Sequence, residues 1–223
     1  MTVEIRRGNT RFMERVGARA TWHALSFGEN YDPDRLRLGP IVCHDEHLLG
    51  RGQGFTSHRH EELEIVTWVI SGSVVHEDTL GSSATVTPGT VGHLTAGTGV
   101  SHSELAAAPQ TRFVQVWLTP DEPGRTPAYA TAEAAIVPGR LCEVLRPTDG
   151  ATFSVARLAA GESVSVPPAT LRHVYVATGA LLRSSLAEPL SQGDAFVIDG
   201  EDGQAPIEVT AAVPTELLVW QFR

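Results

Sequence analysis

Two short stretches of the chain place metal-binding side chains two residues apart. The first contains His58 and His60, and the second contains His102 and Glu104. In a β-strand, residues two apart point to the same face, so each pair predicts two ligands aimed the same way. Three imidazole nitrogens and one carboxylate oxygen suit a divalent transition metal and leave coordination positions open for water, dioxygen or substrate.

The fourth ligand is ambiguous from spacing alone. Glu64 shares a face with His58 and His60 if that strand stays regular, so it competes with Glu104 for the role. A single His-x-His pair in a β protein is more often structural. Two such pairs, the second preceded by a turn containing Gly97 and Gly99, favour a metal site.

The other histidines carry weaker signals. His76 ends a short strand-like segment, where it is either a turn residue or part of a pocket, and we interpret His93 as structural. His173 stands alone in the second half and is not expected to bind a metal. Three histidines near the N-terminus are expected at the surface or in loops: His23, His44 and His47.

The composition predicts an all-β protein. Of 223 residues, 42% are hydrophobic and 19% charged, with 21 glycines and 14 prolines to punctuate short strands. Strands are predicted at Ala20–Phe27, Leu63–Ile70, Ser73–Glu77, Ala84–Val86, Thr111–Leu118, Thr152–Arg157, Val174–Ala177, Ala195–Ile198 and Glu216–Phe222. No segment has a long helical period, and the Ala- and Glu-rich stretch before Val137 is the best candidate for a short helix.

Charge and cysteine content exclude several classes of protein. A net charge of −9 argues against nucleic-acid binding. Cys43 and Cys142 lack zinc-finger or redox spacing and are interpreted as small buried hydrophobes. The N-terminal residues lack an apolar signal region, and no apolar run is long enough to span a membrane, so we predict a soluble cytoplasmic protein.

The chain is predicted to contain two barrel domains. A proline-rich stretch at Thr119–Ala130 suggests a linker, which gives domains at 1–120 and 133–223 joined by 121–132. VISGSVV at Val69–Val75 resembles VATGALL at Val176–Leu182, and TPGTVGHL resembles SQGDAFVI further along each half. Tandem β-barrels with a degenerate second copy explain these matches.

The first half also carries the motifs of a known superfamily. Gly52, His58, His60, Glu64 and Gly72 resemble the first motif of the cupins, with a final gap one residue longer than usual. The second motif departs from the usual form. It has a glycine before its histidine, but no asparagine follows three residues later, and an His-x-Glu pair stands there instead.

That variant and the surrounding sequence resemble the pirin family. The similar segments are Ser26–Pro40, Gly54–Gly81, Thr87–Glu104 and Val114–Leu118. The resemblance implies two tandem cupin (jelly-roll-like) β-barrels with one divalent metal, typically iron, in the first. Manganese, cobalt, nickel, copper and zinc suit the same donors.

Carried over to this chain, the resemblance implies a specific ligand set. The metal ligands are His58, His60, His102 and Glu104, and Glu64 is expected nearby, facing the pocket or orienting a ligand. His76 is a further candidate for the second shell or the pocket, from its own position in the sequence. Some pirins resemble quercetin 2,3-dioxygenases in activity, which implies a phenolic substrate and O2, with Glu104 as the catalytic base. Other pirins are regulators that bind protein partners and use the metal structurally or as a redox sensor, and this alternative stays open.

The internal repeat predicts that only the first barrel binds metal. Aligning Gly72 with Gly179 places Ser165 and Pro167 opposite the first histidine pair. Aligning Gly89 with Gly193 places Pro206 and Glu208 opposite His102 and Glu104, so three of the four ligand positions are lost. We therefore expect one metal ion per chain.

Overall fold

The computed structural model describes residues 2–183, 188–200 and 205–223, and strands dominate it. They are β1 (Thr2–Arg6), β2 (Phe12–Val16), β3 (Arg19–His23), β4 (Ile41–Leu49), β5 (Gly54–His60), β6 (Glu64–Ser71), β7 (Val74–Asp78), β8 (Ser83–Val86), β9 (Thr90–Thr95), β10 (Val100–Ala106), β11 (Thr111–Leu118), β12 (Ala128–Glu133), β13 (Leu141–Thr148), β14 (Ala151–Leu158), β15 (Ser163–Val166), β16 (Leu171–Thr178), β17 (Ala180–Leu181), β18 (Leu190–Ser191), β19 (Ala195–Asp199), β20 (Ile207–Thr210) and β21 (Thr215–Phe222). Two single-turn 3₁₀ helices, Gly8–Thr10 and Pro33–Arg35, are the helical elements of the described residues.

The all-β prediction is confirmed, with local differences. Each predicted strand segment overlaps an observed strand, but twelve of the 21 described strands lie outside the predicted segments, including the longest, β4. The helix expected before Val137 is wrong, because that stretch forms β12 and pairs with β9 in register from Ala128↔Thr95 to Glu133↔Thr90. Cross-strand pairing here overrides the helix propensity of alanine and glutamate.

The chain divides into two compact units. The N-terminal unit is Arg11–Ala134, and the C-terminal unit combines Met1–Thr10 with Ala135–Arg223. These bounds differ from the predicted ones because β1 pairs with β19, and because β12, most of which lies in the predicted linker, pairs with β9.

The N-terminal unit is a jelly-roll-like sandwich. A seven-stranded sheet has the order β12-β9-β6-β11-β4-β3-β2, and a four-stranded sheet has the order β5-β10-β7-β8. Both sheets contribute side chains to one apolar cluster, whose buried members are Leu49, Val69, Val74, Val86, Ala106 and Phe113. Burial of this apolar surface holds the β5–β10 ribbon against the inner face of the larger sheet.

The C-terminal unit repeats this strand order. Its six-stranded sheet runs β1-β19-β16-β21-β14-β13, which matches β12-β9-β6-β11-β4-β3, with β1 at the edge position that β12 holds. The small β15–β20 ribbon corresponds to β5–β10. An entirely apolar cluster fills this unit, including Val164, Val176, Phe196 and Leu217.

Two further sequence expectations bear on the chain as a whole. None of the residues that the structure describes forms a helix long and apolar enough to cross a membrane. Cys43 is buried as expected, whereas Cys142 is partly exposed, and both are free thiols.

Candidate metal centre and adjoining cavity

Three histidines converge where β5 and β10 pair. The antiparallel register sets His58 directly opposite His102, and His60 lies two residues further on the same face of β5. Ring nitrogens of the three lie within 4.8 Å of one another. The predicted grouping of the three imidazoles is therefore present in the structure.

The unused nitrogens of this cluster are suited to a metal. Among the described residues, Nε2 of His60 and Nε2 of His102 are buried without a hydrogen-bond partner. Nδ1 of His58 donates to the Thr56 carbonyl oxygen at 2.8 Å, which leaves its Nε2 as a lone-pair donor. Buried imidazole nitrogens without partners are costly unless a ligand satisfies them.

Burial keeps the imidazoles of His60 and His102 neutral. Burial, reinforced by the neighbouring histidines, lowers the pKa of His102 to about 3. Burial likewise lowers the pKa of His60 to about 4, with contributions from His102 and His58. Neutral imidazole is the form that binds a metal, so the site needs no proton release from these two rings at neutral pH.

The ring nitrogen Nδ1 of His102 contacts a fourth histidine, His76, which in turn contacts an aspartate, Asp78. Nδ1 of His102 lies 3.4 Å from Nδ1 of His76, and Nε2 of His76 lies 3.2 Å from Oδ2 of Asp78. If His76 donates its Nε2 proton to Asp78, its Nδ1 accepts from His102, and Nε2 of His102 then carries a lone pair. The ring of His76 also stacks on Tyr129 at 3.6 Å between centroids. The second-shell or pocket role of His76 stays a prediction, and a second-shell residue with these contacts would set the orientation of the His102 ring.

The network also explains the charge on Asp78. Burial opposes ionisation of this carboxyl, but hydrogen bonds from Ser82, His76 and Leu80 outweigh it and lower the pKa of Asp78. The carboxylate therefore stays charged and anchors the two rings.

Glu104 is buried beside this cluster. Its Oε1 accepts a hydrogen bond from Thr67 at 3.2 Å, and its Oε2 accepts one from Gln115 at 2.6 Å. An oxygen of its carboxylate lies within 4.8 Å of ring nitrogens of His76 and His102. The candidate group formed by His58, His60 and His102 does not include Glu104. The role of Glu104 as fourth ligand stays a prediction, and its two donors fix where the carboxylate lies.

Glu64 has its own set of hydrogen-bond partners, separate from those of Glu104. Its carboxylate is fully buried and accepts hydrogen bonds from Thr95 at 2.7 Å and from Arg125 at 2.9 Å, with His93 at 2.8 Å. Glu64 and Thr67 are three residues apart on a regular strand, so they point to opposite faces of β6. Since Thr67 faces Glu104, Glu64 lies on the opposite face of β6 from Glu104, and its role in the second shell or facing the pocket stays a prediction.

A cavity of about 320 Å³ adjoins the histidine cluster. Its lining is Glu14, Arg19, Thr21, His23, Phe27, Asp45, His47, Phe55, His58, Gln115 and Trp117. Trp117 donates its indole proton to Gln115 at 2.8 Å, and Gln115 donates to Glu104, so the cavity wall is bonded to the candidate site. A small aromatic molecule fits a cavity of this size and lining.

The three histidines expected at the surface or in loops are instead buried in this unit. His23, His44 and His47 are each at most 3% exposed. In β4, His47 shares the inner face with Cys43 and Asp45, while His44 and Glu46 lie on the other face. The segment CHDEH shows no apolar–polar alternation, and its polar residues hid a strand that is buried on both faces.

The C-terminal unit places other residues at the equivalent ribbon. In β15–β20, Ser165 pairs with Glu208, where β5–β10 pairs His58 with His102. His173 is buried in β16, and both candidate groups of metal ligands within the described part of the chain lie in the N-terminal unit.

The sandwich of the N-terminal unit and its converging imidazoles define a cupin-type protein with a candidate metal centre. Residues 6–118 match the family model described as Pirin. The chain belongs to the pirin family.

Relatives and solved structures agree with this assignment. A Mycobacterium tuberculosis protein named "Putative quercetin 2,3-dioxygenase" is 34% identical over 236 residues, which covers 99% of this chain and 95% of that protein. The Escherichia coli K12 protein named quercetin 2,3-dioxygenase is 32% identical over 140 residues, 62% of this chain and 61% of its own. The Escherichia coli bacterial pirin YhhW, solved in complex with nickel(II), superposes with a TM-score of 0.88 at 26% identity and covers 99% of both chains.

Proposed function

We propose that this protein is a metal-dependent dioxygenase that opens the ring of flavonols such as quercetin with O2. The observation that carries the proposal is the cluster of His58, His60 and His102, with unpartnered buried nitrogens, beside an aromatic-lined cavity. The names of the relatives, quercetin 2,3-dioxygenase among them, support the same reaction class.

The donor set fits one divalent metal. The three histidines would hold it with Glu104 as the fourth ligand. Such nitrogen and oxygen donors accept iron, manganese, cobalt, nickel, copper or zinc, and we propose iron, the metal typical of the family. When bound, the metal would supply a Lewis acid that lowers the pKa of a flavonol hydroxyl and open positions for substrate and O2.

Glu104 is the proposed proton acceptor for the flavonol 3-hydroxyl. Its two carboxylate oxygens are held by Thr67 and Gln115, so the group does not need to reorganise before it takes the proton. Its 3% exposure keeps bulk water from competing for that proton.

The cavity wall orients the substrate. Phe27, Phe55 and Trp117 present aromatic surface on which a planar flavonol can stack, and they shield it from water. Trp117 lies edge-on to His60 at 4.7 Å between ring centroids, so a flavonol stacked on Trp117 would lie next to the candidate metal ligands.

An aerobic assay of the metal-loaded protein with quercetin tests the proposal. We expect ring-opened product and release of carbon monoxide, and we expect Glu104→Ala to abolish turnover. His93→Gln, on the other face of the sheet, should leave turnover unchanged. If the loaded wild-type protein does not turn quercetin over with any of the six metals, the proposal fails, and the partner-binding role of some pirins becomes the remaining hypothesis.

A further inference from the structure

A histidine–aspartate pair outside the candidate metal ligands also lines the cavity. His23 on β3 and Asp45 on β4 are register partners, and Nδ1 of His23 lies 2.8 Å from Oδ2 of Asp45. The two residues are 3% and 5% exposed. Asp45 accepts the Nδ1 proton, which fixes the tautomer and leaves Nε2 to interact with a ligand.

Nε2 of His23 does not form a hydrogen bond with Glu14, a neighbouring carboxylate. Nε2 of His23 lies 3.8 Å from Oε2 of Glu14, beyond hydrogen-bond distance, and Glu14 lines the same cavity. The His93–Glu64 pair on the outer face provides a contrast. There the carboxylate is also bound by Thr95 and Arg125, as in a purely structural ion-pair network.

A continuous aromatic wall connects His23 to the candidate metal ligands. His23 stacks on Phe27 at 5.2 Å, Phe27 meets Trp117 edge-on at 5.5 Å, and Trp117 meets His60 at 4.7 Å. The cavity therefore has a metal-ligand end and a histidine–aspartate end with an apolar surface between them. A planar molecule lying on that wall would present one polar edge to each end.

We propose that His23, oriented by Asp45, binds and deprotonates a second phenolic hydroxyl of the substrate at the end of the wall away from His60. The inference rests on the proposed flavonol activity and adds a specificity rule, namely that flavonols with hydroxyls beyond the 3-hydroxyl are preferred. The phenolic O–H bond breaks, an Nε2–H bond forms, and the electron pair stays on the oxygen as phenolate. Asp45 stabilises the imidazolium, and half-exposed Glu14 offers the proton a path to solvent.

Anaerobic binding to the metal-loaded protein tests this rule without relying on turnover. The probes are 3-hydroxyflavone and kaempferol, which has further hydroxyls but no catechol to chelate free metal. We expect His23→Gln to weaken kaempferol binding about tenfold, the loss typical of a hydrogen bond to a charged group. We also expect it to abolish the part of the phenolate absorbance shift that bound kaempferol shows and bound 3-hydroxyflavone does not. The affinity for 3-hydroxyflavone should change less than about twofold, since that ligand has no group to reach His23.

His93→Gln is the matched control because it removes the other 2.8 Å histidine–carboxylate contact of this unit, on the outer face. It should leave both dissociation constants unchanged. Equal weakening of both probes by His23→Gln would assign the pair a structural role and overturn the inference.

Wild-type protein gives a second test that does not depend on a variant folding. Removing the extra hydroxyls of kaempferol one at a time should identify one whose loss costs about tenfold in affinity. If no single hydroxyl matters while 3-hydroxyflavone still binds, the role of His23 is excluded and the flavonol proposal survives. If the wild-type protein binds neither probe, the proposed function itself fails and the inference fails with it.

Discussion

The three clustered histidines differ in how their second ring nitrogen is held. His58 donates a hydrogen bond from Nδ1 to a backbone carbonyl. Nδ1 of His102 instead contacts His76, which in turn contacts Asp78. Such outer partners set ring orientation and tautomer, so they influence metal affinity without touching the metal.

Replacing His76 should weaken the metal centre. His76→Leu removes the acceptor for Nδ1 of His102, and we expect metal affinity to fall about 10- to 100-fold, the range for lost outer partners. Competition with a chromogenic chelator measures this. His93→Leu should leave the affinity unchanged, and equal affinities of wild type and His76→Leu would contradict the positioning role.

Gln115 should influence turnover because it donates a hydrogen bond to the carboxylate of Glu104. Gln115→Met removes the 2.6 Å donor to Glu104 while keeping side-chain volume, so the carboxylate loses its shorter bond and its fixed position. We expect kcat of the metal-saturated enzyme to fall about tenfold, in line with a lost hydrogen bond to a charged group. An unchanged kcat at full metal occupancy would remove Gln115 from the mechanism.

At the scale of elements, the two units use the same turn device. Gly72 and Gly179 have φ of 75° and 80°, and an added Cβ would lie 2.4 Å and 2.5 Å from Oγ1 of Thr111 and Thr215, respectively. Each threonine hydroxyl also hydrogen-bonds backbone next to its glycine, at Ser73 and at Ala180. The matches that suggested a repeat in the sequence thus mark a shared structural element.

Gly72→Ala should therefore destabilise more than an ordinary glycine replacement. Left-handed backbone costs a non-glycine residue about 1–3 kcal/mol, and here a clash with Thr111 is added. Gly81→Ala is the control, since its φ of 89° carries the backbone cost but an added Cβ meets nothing within 4 Å. Urea unfolding of both variants measures the difference, and equal losses would show that the threonine contact is unimportant.

For the whole molecule, the repeat also predicts metal stoichiometry. Ser165 and Glu208 occupy the ribbon that corresponds to the one carrying His58 and His102. A hydroxyl and a lone carboxylate do not replace paired imidazoles as ligands for a transition metal. Elemental analysis of the loaded protein should find one ion per chain, and a second ion would contradict the degenerate role assigned to the C-terminal unit.

Buried neutral histidines should make global stability depend on pH. Burial lowers the pKa of His44 from 6.5 to about 4, so between those values the unfolded chain holds a proton that the folded chain excludes. Stability is then lost as pH falls through 6.5, by up to about 1.4 kcal/mol per pH unit for this group, with no further loss below about 4. Urea unfolding of the metal-free protein between pH 7 and 4.5 should show a smaller dependence in His44→Gln. Identical slopes would rule out the assigned contribution.

Sequence alone was sufficient for the parts of this protein that depend on local spacing. Short runs of β-branched, leucine and aromatic residues bounded by turn residues predicted nine of the strands, and the His-x-His and His-x-Glu spacing identified residues that the β5–β10 pairing brings together. The internal matches around Gly72 and Gly179 then indicated the tandem arrangement, because glycine turns recur wherever the same left-handed backbone is required.

Tertiary structure decided which face of each strand points inward. Glu64 satisfies a first-motif spacing but lies on the outer face of β6, where Arg125 neutralises it. His23 and Asp45 are 22 residues apart and have no shared motif, and only the pairing of β3 with β4 joins them at the cavity. Contacts between distant strands depend on register and packing, which residue spacing within one strand does not encode.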